Sequence, residues 1–348
     1  MKATGQRLPS HPDAAAVSEI GDRVGELAAR DGRVAALRYA MSATESLLRS
    51  PSDALRIDLR QRVFRPLFFS GGAGYQLNDF ESVDYHQYEL APKFPLFRGP
   101  SVSEAAIEHG RYFCVIGGAQ TFGRLVRRPW PLLLSEAIDL PVLNLSRGGA
   151  GPNDFLDPAL IDLARRSRFV IIQVMSGRSV GCAEYPGGRR IVQGSKTTEV
   201  HRWDVLKQMW RRDPLIALEY VRRWNANYVE LYRRLRTAIE RPILLVWISH
   251  REPDAWNPES LLQELDWGDF PQLIGREVYE KVASLFEEQI KIVTGSSSEQ
   301  PLSRVTGRPC PYFGSQKNMH TEFHYYPASA HHLQLASTLS SWASEHHR

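Results

Sequence analysis

Residues 112–123 read Tyr-Phe-Cys-Val-Ile-Gly-Gly-Ala-Gln-Thr-Phe-Gly. A short, continuous apolar run cut off by two glycines is what a strand covered on both faces looks like when it ends in a tight turn. The glycines let the chain bend sharply and can bring backbone N–H groups up to an anion. The same arrangement recurs downstream. An apolar run at 142–145 leads into Ser146-Arg147-Gly148-Gly149-Ala150-Gly151-Pro152, and another at 169–175 leads into Ser176-Gly177-Arg178-Ser179. Further apolar runs fall at 243–249 and 290–293. Between them lie helix-like stretches, starting near Pro131, near Pro152, at Asp213-Pro214 and near Gln272, with a last one over 328–342. In the third of these Asp213 can cap, Pro214 suits the first turn, and Leu215, Leu218, Val221, Tyr228, Leu235 and Ile239 share a face. Strands alternating with helices predict an α/β fold, a three-layer α/β/α sandwich on a flavodoxin-like parallel sheet. Its site is expected in the loops just after the strands.

The residues before this pattern are organised differently. Residues 14–49 predict two helices broken at Asp31-Gly32, with Val17, Ile20, Val24 and Leu27 on one face and Val34, Leu37, Met41 and Leu48 following. Such an apolar stripe must be covered, by the main domain or by a second copy of the chain. The stretch 55–69 mixes Arg56, Arg60, Arg62 and Arg65 with apolar residues and ends in a glycine-rich run at 70–74. The expected division is therefore a helical hairpin with a basic linker over 1–75 and an α/β domain over 76–348.

With 348 residues, 43% of them hydrophobic, the chain can bury a substantial core. Its start has no apolar signal region, and no run reaches the roughly 18 uncharged apolar residues of a membrane span. Cys114, Cys182 and Cys310 are few, odd in number and far apart, which fits reduced thiols in a cytoplasm better than a disulfide framework. A net charge of +4 with dispersed arginine clusters and no recognition motif gives no reason to expect a nucleic-acid partner. Neither a membrane nor a cofactor is expected as a partner. The expected ligand is a small polar molecule, anionic or derived from carbohydrate.

The three small-residue loops in succession resemble the blocks of SGNH (GDSL-type) hydrolases, over about residues 111–180. Gly117, Thr121 and Gly123 match the first block, Gly-Asp-Ser-x-Thr-x-Gly, but Gly118 stands where that family has Asp and Ala119 where it has the nucleophilic Ser. Gly148 or Gly149, after the strand bearing Asn144, can stand for the oxyanion glycine, and the third-block Asn falls near Gly177, leaving Arg178 as the nearest polar side chain. The final Asp-x-x-His block falls in 320–332. Aligned on Pro327 it places Phe323 and Tyr326 at the acid and the base, while a shifted loop would bring His331, or His324, with Glu322 to orient it. The chain is also similar to a bacterial family classified as a domain of unknown function that shares the degenerate first block. Asp84-Tyr85-x-x-Tyr88, Phe97-Arg98-Gly99-Pro100, the 117–123 turn, the Asn144 strand, Leu244-Leu245-Val246-Trp247 and Ala330-His331 carry that likeness over about 80–340. It implies that loss of the serine is native to this group, and it brings no reaction with it.

Candidate ligand contacts are accordingly Gly118, Ala119, Gln120, Asn144, Gly148, Gly149 and Arg178, with Arg147, Arg98, His250 and Arg251 behind them. Thr121 could act as a substitute nucleophile or simply cap its own turn, the second being the ordinary role of a threonine in such a turn. His331 is the candidate acid or base. The run His320-x-Glu322-x-His324 has apt zinc ligands but not the HExxH spacing of a helical metal site, so no metal is expected. Cys182 lies beyond Arg178 with no assignable base and reads as an ordinary thiol.

Overall fold

The computed structural model describes residues 11–70, 73–180, 190–192, 199–296, 298–314 and 318–346. The chain forms two compact units, each built from separate stretches of sequence: Met1–Ser101, Arg124–Arg127 and Ser298–His324 in the first, Val102–Gly123, Arg128–Ser297 and Tyr325–Arg348 in the second.

The second unit holds a five-stranded parallel sheet. Its strands are β1 (Phe113–Ile116), β2 (Val142–Asn144), β3 (Val170–Gln173), β4 (Ile243–Ser249) and β5 (Glu288–Val293), in the order β2-β1-β3-β4-β5. β1 lies centrally, with Val115 beside Asn144 on one side and Ile171 on the other. The first four strands are buried along their whole length, as their unbroken apolar runs require, whereas β5 sits at the edge with Glu288 and Lys291 in solvent.

Alternating side chains feed two different layers. Phe113, Val115, Val142, Phe169, Ile171, Leu244, Val246 and Ile248 pack with Trp130, Leu134, Leu335, Leu339 and Trp342 from helices Trp130–Ile138 and Ser329–His346. On the other face helix Pro214–Ala238 lies along the sheet, with Tyr232 donating from its hydroxyl to Gln173 O and Tyr228 to Met175 O. Tyr279, from helix Arg276–Ala283, stacks edge-on against Trp247 of β4. This is a three-layer α/β/α sandwich, the fold class that the alternation of apolar runs and helix-like stretches implied. Asp213 caps helix Pro214–Ala238 through Leu215 N at 2.9 Å. Leu215 itself points to solvent, 58% exposed, because the first turn projects past the sheet. Near Pro152 only a 3-10 turn forms, Pro152–Phe155, and the helix starts at Pro158 behind an Asp157 cap.

In the first unit helices Ala14–Arg30 and Arg33–Ala43 meet at Gly32, whose φ of 85° suits glycine. The hairpin's stripe is covered within its own unit. Val17, Val24, Ala36, Leu37, Met41 and Leu48 join one core with Leu59, Val63, Phe64, Leu67, Phe80 and Phe313. Residues 53–69, expected as a basic linker, are helical instead. Their arginines are taken up by partners: Arg56 reaches both carboxylate oxygens of Glu81 at 2.7 and 3.2 Å, Arg62 pairs with Asp58 at 2.8 Å, and Arg60 reaches Asn78 at 3.0 Å. Further in, the carboxylate of Asp79 takes two hydrogen bonds from Arg124, both 2.9 Å, and one from the Tyr85 hydroxyl at 2.8 Å. The Arg124 guanidinium lies 4.6 Å from the Tyr75 ring and 5.3 Å from the Tyr312 ring. Among the described residues, no helix is long and apolar enough to cross a membrane.

Candidate functional site

The site grows out of the β1–β3 register. With Ile116 beside Ile172, the last residue of β3, Gln173, comes level with the Gly117-Gly118 turn that leaves β1. Its Oε1 accepts from Gly118 N at 3.0 Å and from Thr121 Oγ1 at 2.6 Å. A Cβ on Gly117 would come within 2.7 Å of both that oxygen and the threonine hydroxyl, so the approach depends on glycine. Two converging donors fix the amide with its oxygen toward the turn, which leaves Gln173 Nε2 buried with no hydrogen-bond partner. After the turn comes one helical turn, Ala119–Phe122, closed by Gly123 at φ 75°.

Gln120 extends from that turn. It is 2% exposed, and among the described residues neither Oε1 nor Nε2 has a hydrogen-bond partner of good geometry. A Cβ on Gly118 would lie 3.5 Å from Gln120 Oε1 and 3.9 Å from Gln173 Oε1, so the two carboxamides flank the same glycine. Gln120 lies next to the Tyr325 hydroxyl without a well-formed bond to it. That hydroxyl is in turn reached by Gln272 Nε2 at 2.9 Å and by Arg178 Nη2 at 3.4 Å, and Ser176 Oγ donates to Gln272 Oε1 at 2.7 Å. Burial raises the pKa of Tyr325, against the pull of the Arg178 charge, so the phenol keeps its proton at neutral pH. Arg178, in the 3-10 turn Gly177–Ser179 after β3, is half-buried over the Trp267 ring at 5.7 Å. Its Nε is buried without a partner, and among the described residues no carboxylate pairs with it.

The other sequence-derived candidates occupy different places. Ala119 puts a methyl group, 7% exposed, at the nucleophile position. Thr121 is fully buried with its proton committed to a carboxamide, which is no base, and the Gly118 N–H is spent on the same oxygen. Asn144 closes its own turn by accepting from Ser146 N at 3.0 Å, and Gly149, at φ 70°, shapes the loop after it. Arg147 pairs with Asp154 at 2.9 Å, so its charge is answered within the loop. Arg98, 2% exposed, donates to Val126 O and Arg127 O and lies over the Tyr85 ring, and burial lowers its pKa to about 10. It is a brace inside the first unit.

Arg251 is also a brace, with Nη2 holding Pro271 O and Ile274 O at 2.7 and 2.8 Å and so fixing the loop that carries Gln272. His331 accepts from Ala328 N at 3.3 Å, with its ring 6.5 Å from that of His250, which contacts Gly295 O. His332 is fully buried and accepts from Trp130 N at 3.0 Å, tying the last helix to helix Trp130–Ile138. His320 stacks on Tyr312 while Glu322 accepts from Ser298, and among the described residues no three His, Cys, Asp or Glu side chains are grouped to hold a metal ion. Cys182 lies outside the described residues.

A cavity of about 800 Å³ opens elsewhere in the second unit, between helices Pro214–Ala238 and Arg276–Ala283. All but one of the charged residues lining it are paired, Arg222 with Glu219 and Glu259, Arg233 with Glu230, Arg276 with Asp254 and Lys281 with Glu277, while Glu280 has no ion-pair partner among the described residues. Walls compensated to this degree leave little for a polar guest. Buried polar atoms without a hydrogen-bond partner among the described residues occur on Gln120, Gln173 and Arg178 at the strand ends, whereas the cavity wall contributes one, Trp256 Nε1, and that grouping makes the strand ends the better candidate.

A family model described as Domain of unknown function (DUF6473) matches residues 74–185. That segment contains the 117–123 turn, Gln173 and Arg178. No curated protein matches the chain. Among solved structures, a protein described as lipolytic and of the G-D-S-L family from Desulfitobacterium hafniense DCB-2 is similar at 15% identity and a TM-score of 0.31, over 68% of this chain and 98% of that one. A carbohydrate esterase family 2 enzyme from Corynascus thermopiles (Myceliophthora fergusii) is similar at 10% identity and a TM-score of 0.33, over 73% of this chain and 69% of that one. An acetyl xylan esterase (Est2A) from Butyrivibrio proteoclasticus follows at 10% identity and 0.32, over 73% of this chain and 67% of that one.

Proposed function

We propose that the second unit binds a polar small molecule, anionic or carbohydrate-derived, at the carboxyl ends of β1 and β3, and does so without a protein nucleophile. The observation that carries this reading is the set of buried polar atoms without a partner among the described residues, on Gln120 and Gln173 beside Gly118 and on Arg178, which reaches the same cluster through Tyr325. Each such atom costs about 1–3 kcal/mol when left unpaired, a cost that a ligand or an ordered water offsets by supplying the missing partner, and a ligand with several polar groups answers all of these atoms at once. The absence of a hydroxyl on Ala119 and the engagement of Thr121 by Gln173 argue against covalent catalysis. Two measurements test it together. A fluorophosphonate serine probe should leave the protein unlabelled. A thermal-shift screen of hydroxylated acids and sugars should find compounds that stabilise the native chain but not the Gln120→Met variant. Labelling by the probe, or equal stabilisation of both chains, refutes the reading.

A further inference from the structure

We infer that the ligand of this site is a hydroxylated monocarboxylate, a sugar acid or a related hydroxy acid, with its carboxylate on Arg178 and Tyr325 and its hydroxyls on Gln120 and Gln173; the inference rests on the proposed binding role of the strand ends. The charge count comes first. Arg178 has no carboxylate partner among the described residues, and the side chains linked to it, Tyr325, Gln272 and Ser176, like Gln120 and Gln173 beside Gly118, are uncharged. One unanswered positive charge calls for one negative charge, whereas a phosphate monoester would bring close to two.

Geometry then selects the carboxylate. The orphan Nε of Arg178 and its Nη2, which lies 3.4 Å from Tyr325 Oη, form one edge of the guanidinium fork. That edge matches the two oxygens of a planar carboxylate. Tyr325 accepts from Gln272 Nε2, so its own proton can turn from the adjacent Gln120 carboxamide to a carboxylate oxygen lying against Arg178. The far side of the cluster offers Gln120 Oε1 and Nε2 and Gln173 Nε2, an acceptor and two amide donor groups without partners. Hydroxyls, which both donate and accept, satisfy that mixture, while an alkyl chain would leave all three atoms unpaired. Phe270, whose ring edge lies 4.0 Å from a Cβ built on Gly118 and which packs edge-on to Tyr325, supplies an apolar wall for the carbon skeleton.

The test is isothermal titration of the full chain at pH 7.5 with D-glucuronate, D-galacturonate and D-gluconate, against D-glucose and D-glucose 6-phosphate. At least one of the three acids should bind, and D-glucose should bind at least tenfold more weakly than it. Arg178→Lys keeps the charge but loses the fork and should weaken that acid at least tenfold, Tyr325→Phe should weaken it several-fold, and both chains should keep the native melting temperature within a few degrees. Glucose binding as tightly as the acids overturns the inference while leaving the strand ends as a ligand site. The phosphate ester binding more tightly than every acid does the same. Binding of none of the acids also overturns it; the separate stability test of Gln120 then tells whether the underlying reading of the site fails too.

Discussion

Replacing Gln120 by methionine should make the protein more stable. The change keeps the length of the side chain and removes two buried polar atoms that have no partner. Leaving such groups unpaired costs about 1–3 kcal/mol each. What is lost in exchange is a marginal contact with the Tyr325 hydroxyl, and the thioether that replaces the amide lies close to aromatic rings, a favourable neighbourhood for sulfur. A net gain of about 2 kcal/mol follows, which for a unit of roughly 150–250 residues corresponds to a melting-temperature rise of about 4–8 °C.

Gln173→Met is the matched control, since it keeps a similar shape but strips the acceptor from both Gly118 N and Thr121 Oγ1. It should cost about 2–4 kcal/mol, the opposite sign. Urea unfolding followed by tryptophan fluorescence reads both, with an unchanged denaturant slope as the check that the same transition is measured. A Gln120→Met chain less stable than the native one by 1 kcal/mol or more would show that Gln120 is satisfied in solution and would remove the main reason for placing a ligand there.

Other outcomes follow from neighbouring parts of the structure. Ala119→Ser should add a hydroxyl without creating esterase activity, because Gln173 is no base; p-nitrophenyl acetate turnover should stay at background, and a burst of product would refute that. Asp79→Ala should destabilise by about 3–5 kcal/mol by stranding Arg124 between two tyrosine rings, as measured by denaturation. Alkaline stability should fall from about pH 9 upward. Burial raises the Cys310 thiol from 9.0 to about 12, so the folded chain holds a proton that the unfolded chain releases, and stability complete below pH 9 is lost as pH climbs toward 12. Urea midpoints at pH 8, 9 and 10 check this, and a flat profile would contradict it. For the same reason Cys114 and Cys310 should resist iodoacetamide at pH 8 in the folded chain and react once it is unfolded, as mass spectrometry of the alkylated peptides can show.

The strands of the parallel sheet were legible because strands covered on both faces leave continuous apolar runs, and all five runs coincide with strands within a few residues. The break at Asp31-Gly32 was legible for a local reason as well, the need for a positive φ that glycine meets. Arg178 stood out by position alone, as the charged residue directly after a central strand. Gln173, Gln272 and Tyr325 did not. The one signal for Gln173 was a polar residue interrupting the apolar run 169–175, and nothing in the sequence tied Tyr325 to a turn some two hundred residues earlier.

Periodicity and glycine placement thus determined the fold class and the loops that surround the strand ends, since both are set by contacts near in sequence. Which of the candidate arginines lacks a partner for its charge among the described residues was decided only in three dimensions. Position in the sequence ranked Arg178 first but could not show that Arg98, Arg147 and Arg251 are engaged, each by a carbonyl or a carboxylate closing on the guanidinium. The same holds for the turn after β1: sequence shows that it lacks a serine, but only the register of β3 brings Gln173 to fill its donors and leave an amide facing inward without a partner.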